Sequence, residues 1–219
     1  MDGSGQIAPK PVDLTWYRWA ERPLVWMPER GMGYFPVCAQ PYDQAYFDKY
    51  AGYADTPIGR GLTQARIDLV ARHHRGPILD VGVGCGQFVE TRPETFGYDV
   101  NPAGVRWLRE RAKFVDLYIA PEVGWRAATF WDSLEHIPDP ALAVRCIAGW
   151  VFVSLPIFTD VEHVLRSKHY RKDEHCWYWT RVGFEAWMAE QGFEMVEANW
   201  MESDLGREDI MTFAFRRVR

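Results

Sequence analysis

Apolar and polar positions alternate along this chain with two different periods, and the change of period marks out the elements. Leu62, Ala65, Leu69, Val70 and His73 recur at helical spacing and predict a helix over about 60–74, stopped by Gly76-Pro77. The continuous apolar run from Ile78 predicts a buried strand over about 78–82. A very short helix over about 86–91 must follow, because Pro93 interrupts it. A second strand is expected over about 96–100. Asn101-Pro102 then opens a helix, with Asn as N-cap and Pro at the first helical position, and Val105, Trp107 and Leu108 face inward. Short strands are expected over about 114–119 and 127–131, the latter ending at Asp132. Pro138-Asp139-Pro140 opens a helix over about 140–147, and a strand over about 150–155 is stopped by Pro156. Thr180 caps a helix over about 181–191 with Phe184, Trp187 and Met188 apolar, and Gly192 ends it. Strands over about 193–200 and 209–216 close the chain, joined by a polar loop containing Gly206. Strands alternating with helices, then two consecutive strands, imply an α/β sheet that is mainly parallel with an antiparallel end.

The first 57 residues lack this periodicity. They are rich in Pro, Gly, Trp and Tyr, and their aromatics (Trp16, Tyr17, Trp19, Trp26, Tyr34, Phe35, Tyr42, Tyr46, Phe47, Tyr50, Tyr53) are too many for a solvated tail. An ordered but irregular arm or lid over 1–57, packed on a main domain over 58–219, is expected. An insertion over 157–180 interrupts that domain on one side.

Composition narrows the class. With 219 residues, one domain with an embellished end is expected. A net charge of -5 disfavours a protein that grips nucleic acid by its phosphates, although Arg166 to Lys172 forms a local basic stretch. Cys38, Cys85, Cys146 and Cys176 are scattered and form no CxxC pair, so a zinc ribbon is not expected and free thiols in a cytoplasmic protein are. No apolar run approaches a membrane span, and the first residues carry no signal-peptide pattern.

The chemistry concentrates in Leu79-Asp80-Val81-Gly82-Val83-Gly84-Cys85-Gly86. This is a strand ending in an acid that breaks into a glycine turn, and Asp99 stands at the tip of the next strand. Such a βαβ unit binds nucleosides. The dinucleotide fingerprint would place a third glycine at position 87, which is Gln87, and no Gly-Lys-Ser/Thr of a P-loop follows. The alternating glycines therefore favour a ligand without a pyrophosphate. Asp80 can attract an ammonium group, Asp99 can accept both ribose hydroxyls, and amides at the following helix start can take a carboxylate. Ammonium, carboxylate and ribose together describe S-adenosylmethionine.

With these residues the chain resembles the class I S-adenosylmethionine-dependent methyltransferases, in the broad group sharing an LEH-x-PDP element. The resemblance covers about 60–219. It is carried by the glycine turn, by Gly97-Tyr98-Asp99-Val100-Asn101-Pro102, by Trp131-Asp132-Ser133-Leu134-Glu135-His136-Ile137-Pro138-Asp139-Pro140 and by Val151 to Pro156. It implies a Rossmann-like, seven-stranded sheet with the last strand antiparallel and helices on both faces. It also implies that Asp80, Gly82, Gly84 and Gly86 hold the methionine part of the cofactor, Asp99 the ribose and Val100 the adenine face. Adenine's amino group would fall to a polar residue after the third strand, here Asp116, although the segment from Lys113 to Ala128 is shorter than the group's pattern.

Methyl transfer is an in-line displacement, so the protein supplies alignment and, in some cases, a base. Trp131 is placed to turn a π face toward the sulfonium or the acceptor. His136 is a candidate general base. In the insertion, Tyr170 and His175 are candidate acceptor contacts. His175 is a second catalytic candidate, since the group carries Glu-His followed by an aromatic there. The six-residue spacing of His163, His169 and His175 matches no compact zinc pattern, and no metal is expected. The leading expectation is methylation of oxygen, nitrogen or carbon on a small or medium acceptor, with S-adenosylhomocysteine as product. The alternatives are a nucleic-acid methyltransferase and a non-catalytic binding module. Asp132-Ser133-Leu134-Glu135 stands where base amino methylation would need Asn/Asp-Pro-Pro-Tyr/Phe. Oligomeric state is open.

Overall fold

The computed structural model describes residues 12–13, 24–35, 42–119 and 124–218. Trp16, Tyr17, Trp19 and Cys38 lie outside the described residues. The elements in chain order are β1 (Val12–Asp13), β2 (Val25–Met27), β3 (Met32–Tyr34), α1 (Gln44–Ala54), α2 (Pro57–His73), β4 (Ile78–Val81), α3 (Gln87–Thr91), β5 (Thr95–Tyr98) and α4 (Pro102–Glu110). They continue with β6 (Trp125–Trp131), α5 (Pro140–Arg145), β7 (Ile147–Phe158), α6 (Val161–Arg166), β8 (Trp177–Thr180), α7 (Arg181–Glu190), β9 (Phe193–Asn199), α8 (Met201–Asp204) and β10 (Ile210–Arg217).

The centre of the sheet runs β5-β4-β6-β7 with parallel pairing, and β10 then lies antiparallel between β7 and β9. The strand direction, the helices and the antiparallel end match the expected α/β class, but among the described residues the sheet has ten strands and not seven, because β1, β2, β3 and β8 add to one edge. Helices cover both faces because side chains alternate along the strands. Val151, Val153 and Leu155 of β7 join Ala143 and Val144 of α5 and Phe184 and Met188 of α7 in one core. Phe152 faces the other way, with Leu69 and Val70 of α2.

Caps fix where the helices begin. Thr56 accepts from the Gly59 amide at 3.0 Å, Asn101 from Ala103 at 2.9 Å and Thr180 from Gly183 at 3.0 Å. The chain turns from β4 to β5 on one side and returns to β6 on the other. The sheet order therefore reverses between β4 and β6, the crevice where such folds take ligands.

Three expectations change. The strand expected over about 114–119 is reduced to a single parallel bridge, Gly97 to Phe114. Asp116 turns the chain away by accepting the Tyr118 amide at 2.9 Å, a local bond that competes with the ladder. Pro156 does not stop β7, which continues to Phe158. The Ile157 amide donates to Asp209 on the β10 side, so the ring nitrogen of Pro156 points to the opposite side. There β6 has ended at the Trp131–Ser154 pair and β8 begins at Ile157–Trp179, so no ladder bond is lost. Finally, the loop before β10 contains the short helix α8.

The N-terminal arm is less irregular than its composition suggests. Strands β2 and β3 form a hairpin that pairs with β8, which extends the sheet. Trp26 and Phe35 pack with Tyr178 in a second core. Among the described residues no helix is long and apolar enough to cross a membrane.

Candidate functional site

A cavity of about 500 Å³ opens at the carboxyl ends of β4, β5 and β6. Its floor is the turn after β4. Gly82, Gly84 and Gly86 all adopt positive φ, at 80°, 57° and 84°, for different physical reasons. A Cβ on Gly82 would stand 2.5 Å from Ser133, and one on Gly86 would stand 2.3 Å from the Trp107 ring. Those two glycines permit close packing. At Gly84 a Cβ would meet nothing within 4 Å, so its backbone borders open space that a ligand can approach.

Two carboxylates flank this turn. Asp80 is buried and accepts the Thr129 hydroxyl at 2.6 Å. Burial pushes its pKa up to about 7, against the opposing pull of that hydrogen bond and of Arg66. Asp99 accepts the Asn101 amide at 2.7 Å. Burial raises its pKa to about 6, less than for Asp80 because the backbone amides of Asn101, Val83, Val100 and Gly84 favour the ionised form. Val100 beside it is 57% exposed and offers an apolar face to a ligand ring. An acid ready for an ammonium, an acid ready for a diol and a bare backbone between them fit the polar groups of S-adenosylmethionine.

The opposite wall comes from distant parts of the chain. Tyr42, Tyr46, Tyr50 and Tyr53 line the cavity at helical spacing along and before α1. Neighbouring rings are 5.1 Å (Tyr42–Tyr46) and 4.9 Å (Tyr46–Tyr50) apart. The helix is moored at both ends. Asn101 Nδ2 donates to the Asp43 carbonyl at 3.0 Å, and Gln87 Nε2 donates to the Ala54 carbonyl at 2.9 Å. Trp131, at the end of β6, is 6% exposed, meets Phe88 edge-on and lies under the Arg66 guanidinium at 5.1 Å.

Beside Trp131 stands a partly buried ion network, which lines the same cavity through Arg66, Asp132 and Arg207. Asp132 has a positive φ of 53° and receives Arg66 at 2.9 Å and Arg207 through both carboxylate oxygens, at 2.6 and 2.9 Å. Glu202 is fully buried and receives Arg66 Nε at 2.7 Å, Arg207 at 2.5 Å and the Ser154 hydroxyl at 2.6 Å. Burial alone would raise the Asp132 pKa, but the two guanidinium groups outweigh it and hold the carboxyl well below the usual range. Two cations and two anions balance, so this wall is polar without a net charge.

The turn after β6 holds His136, 8% exposed, with Nδ1 hydrogen-bonded to the Tyr42 hydroxyl at 2.8 Å. Burial lowers its pKa to about 4, which leaves the ring neutral at physiological pH. His175 is buried behind it, the two rings meeting edge-on at 4.6 Å. Glu135 is 2% exposed, and burial raises its pKa well above the ordinary value.

The cavity thus brings together Asp80, Gly82, Gly84, Asp99, Val100, Trp131 and His136. Gly86, Asp116, Tyr170 and His175 are not among its lining residues. Gly86 shapes the turn, Asp116 is bonded to the Tyr118 amide, and Tyr170 stacks on Phe35 at 5.6 Å. Sequence reasoning did not single out Arg66, Asp132 or Arg207 for the site. It counted the tyrosines only as arm aromatics, although their spacing of four, four and three residues carries a helical stripe.

Sheet order, glycine turn and paired acids define an α/β nucleoside-binding enzyme of the S-adenosylmethionine class. The methyltransferase-domain family model matches residues 50–198, well over half the chain, and the chain belongs to that family. No curated protein matches the sequence. Among solved structures, magnesium protoporphyrin IX methyltransferase from Synechocystis PCC 6803, with bound S-adenosylhomocysteine, is 14% identical with a TM-score of 0.55. That match covers 80% of this chain and 95% of the other. A possible histamine N-methyltransferase from Thermotoga maritima is 13% identical with a TM-score of 0.57, covering 80% and 97%. The [4+2]-cyclase SpnF is 15% identical with a TM-score of 0.55, covering 83% and 87%. At these identities the likeness is one of fold. The protein is an S-adenosylmethionine-dependent methyltransferase with S-adenosylhomocysteine as product.

Proposed function

We propose that this enzyme methylates oxygen, nitrogen or carbon of a small or medium acceptor, in a class that includes quinone-like rings, sugars and nucleotides. The supporting observation is a single cavity with two unlike walls. Asp80, Gly84 and Asp99 line one, and tyrosines of α1 with Trp131 and His136 line the other. S-adenosylmethionine supplies the sulfonium methyl group. Asp80 takes the ammonium, the backbone of Gly82 and Gly84 borders the methionine part, Asp99 takes the ribose hydroxyls and Val100 covers the adenine. Gly86 contributes by shaping the turn. Asp116, which does not line the cavity, holds the turn at Tyr118 through one carboxylate oxygen and keeps the other for the adenine amino group.

Trp131 borders the sulfonium, and Tyr42, Tyr46 and Tyr50 hold the acceptor in place of the contacts expected from Tyr170 and His175. His175 acts through His136, on which it packs edge-on, whereas Tyr170 belongs to the core with Phe35 and Tyr178. Residues 1–57 are the arm whose α1 roofs the cavity, and 58–219 the methyltransferase unit. His136 is neutral and bonded to Tyr42, so it can accept a proton or a hydrogen bond from an acceptor hydroxyl. Asp132 is committed to two arginines, which leaves no carboxylate there to receive a base amino group and weighs against nucleic-acid methylation. The free thiols of Cys85, Cys146 and Cys176 suit a reducing compartment, the cytoplasm.

The test is transfer from methyl-labelled cofactor to fractionated cell extract. Label in the small-molecule fraction is expected. Label confined to RNA, DNA or protein would overturn the small-acceptor reading.

A further inference from the structure

Glu135 and His175, which the proposed chemistry leaves unused, form a buried cluster with His136, whose Nε2 can take either a proton or an ion. Glu135 and His136 come from the turn after β6 and His175 from the segment before β8. One donor atom from each lies within 4.8 Å of the other two. Glu135 Oε1 stands 3.9 Å from His136 Nε2, too far for a hydrogen bond, so that pair does not satisfy itself. Glu135 Oε2 is buried with no hydrogen-bond partner. An orphaned carboxylate oxygen at 2% exposure is costly unless something else binds it.

The surroundings resemble a metal site's outer shell. Tyr42 holds the far nitrogen of His136, Nδ1, at 2.8 Å, which fixes the ring with Nε2 turned to Glu135. Ligating histidines are ordinarily oriented through their second nitrogen in this way. The elements are clamped independently: the Cys176 amide donates to the Glu135 carbonyl at 2.8 Å, and Trp177 Nε1 to the Ile137 carbonyl at 3.1 Å. Donor atoms around one tetrahedral ion lie roughly 3.3 Å apart for bonds of about 2.0–2.1 Å. The cluster therefore needs to close by roughly half an ångström at the 3.9 Å pair and by up to about 1.5 Å at the pairs to His175, a shift within reach of side-chain torsions.

The geometry points to a binding site for one divalent first-row transition ion, held by Glu135, His136 and His175. Two imidazoles and a carboxylate suit zinc, iron(II) or cobalt(II) and not magnesium or calcium. Three protein ligands leave a coordination position for water or another donor. Of the three residues only His136 lines the cavity, so the ion sits in the wall beside the acceptor and joins the turn after β6 to the segment leading into β8.

The test uses the full chain, stripped with a chelator and titrated first with cobalt(II) and then with zinc. One cobalt per chain with visible bands of a four- or five-coordinate ion is expected, displaced by one zinc that raises the Tm. Glu135→Gln, which keeps the side chain's shape, is expected to weaken zinc binding at least tenfold. His163→Ala, removing a histidine outside the cluster, is expected to leave stoichiometry and affinity unchanged. No stoichiometric uptake by the wild-type chain would overturn the site, as would equal zinc affinity in the Glu135→Gln variant. Calorimetry with S-adenosylhomocysteine on stripped protein separates this outcome from the methyltransferase reading, because cofactor binding does not depend on the ion.

Discussion

The two walls of the cavity are built in opposite ways. The cofactor wall is local: Asp80, the three glycines and Asp99 span one strand, one turn and the tip of the next strand. The acceptor wall is assembled from Tyr46, Arg66, His136 and Arg207, which share no segment and meet only after α1, α2, the turn after β6 and the loop before β10 have packed. Backbone shape governs the first wall and charge pairing and ring packing govern the second. The first should respond to substitution with lost cofactor affinity, and the second with lost stability or lost acceptor binding.

The largest effect should come from the ion network. Glu202→Gln leaves two guanidinium groups buried against Asp132 alone and is expected to lower folding stability by about 3 kcal/mol. Chemical denaturation measures this, and a change below about 1 kcal/mol would show that the wall does not depend on its charges. On the cofactor wall, Asp99→Ala is expected to weaken S-adenosylhomocysteine binding by about 1–3 kcal/mol with little loss of stability. Calorimetry showing unchanged affinity would remove Asp99 from the ribose.

The pH dependence follows from Asp80. Its pKa of about 7 in the folded protein lies above the unfolded value of 3.8, so the folded chain holds a proton that the unfolded chain releases. Its contribution to the stability of the cofactor-free protein is full below the unfolded value and is lost as pH rises through about 7. Binding an ammonium demands the ionised form, so affinity should move the other way, rising from pH 5.5 to 8 with uptake of ligand coupled to proton release. Calorimetry in buffers of different ionisation enthalpy detects that proton, and its absence would detach Asp80 from the ammonium.

Smaller effects sharpen the boundary between the walls. Tyr46→Phe and Tyr50→Phe should raise the acceptor KM by a few-fold while leaving S-adenosylhomocysteine affinity unchanged. His136→Ala should keep cofactor affinity and lower kcat, and full turnover would exclude an essential base. Asp116→Asn should change cofactor affinity by less than about 0.5 kcal/mol, because that carboxylate is bonded to its own turn.

The same contrast explains how much could be read from the chain itself. The cofactor wall was legible because strand, glycine turn and acids lie within some twenty residues, where local backbone rules apply. The caps at Asn101 and Thr180 were legible for the same reason. Arg66 and Arg207 carried no signal, since a guanidinium on a helix or in a polar loop looks solvated until its two carboxylates are found. Pro156 misled because the rule that proline ends a strand assumes a partner on its nitrogen side. Here the ladder changes from β6 to β8 at that residue. The segment after Phe114 misled because its apolar residues suggest a strand, whereas Asp116 closes a turn.

The ion network has one further consequence. Arg66, Asp132, Glu202 and Arg207 each bond to two others of the set, and none can be replaced without leaving a partly or fully buried partner short of its counter-charge. In an alignment of this protein's relatives, positions 66, 132, 202 and 207 should covary as one block, kept together or exchanged together for apolar residues. The sheet's last two strands would thereby carry, in their connecting loop, a record of how the acceptor wall has diverged.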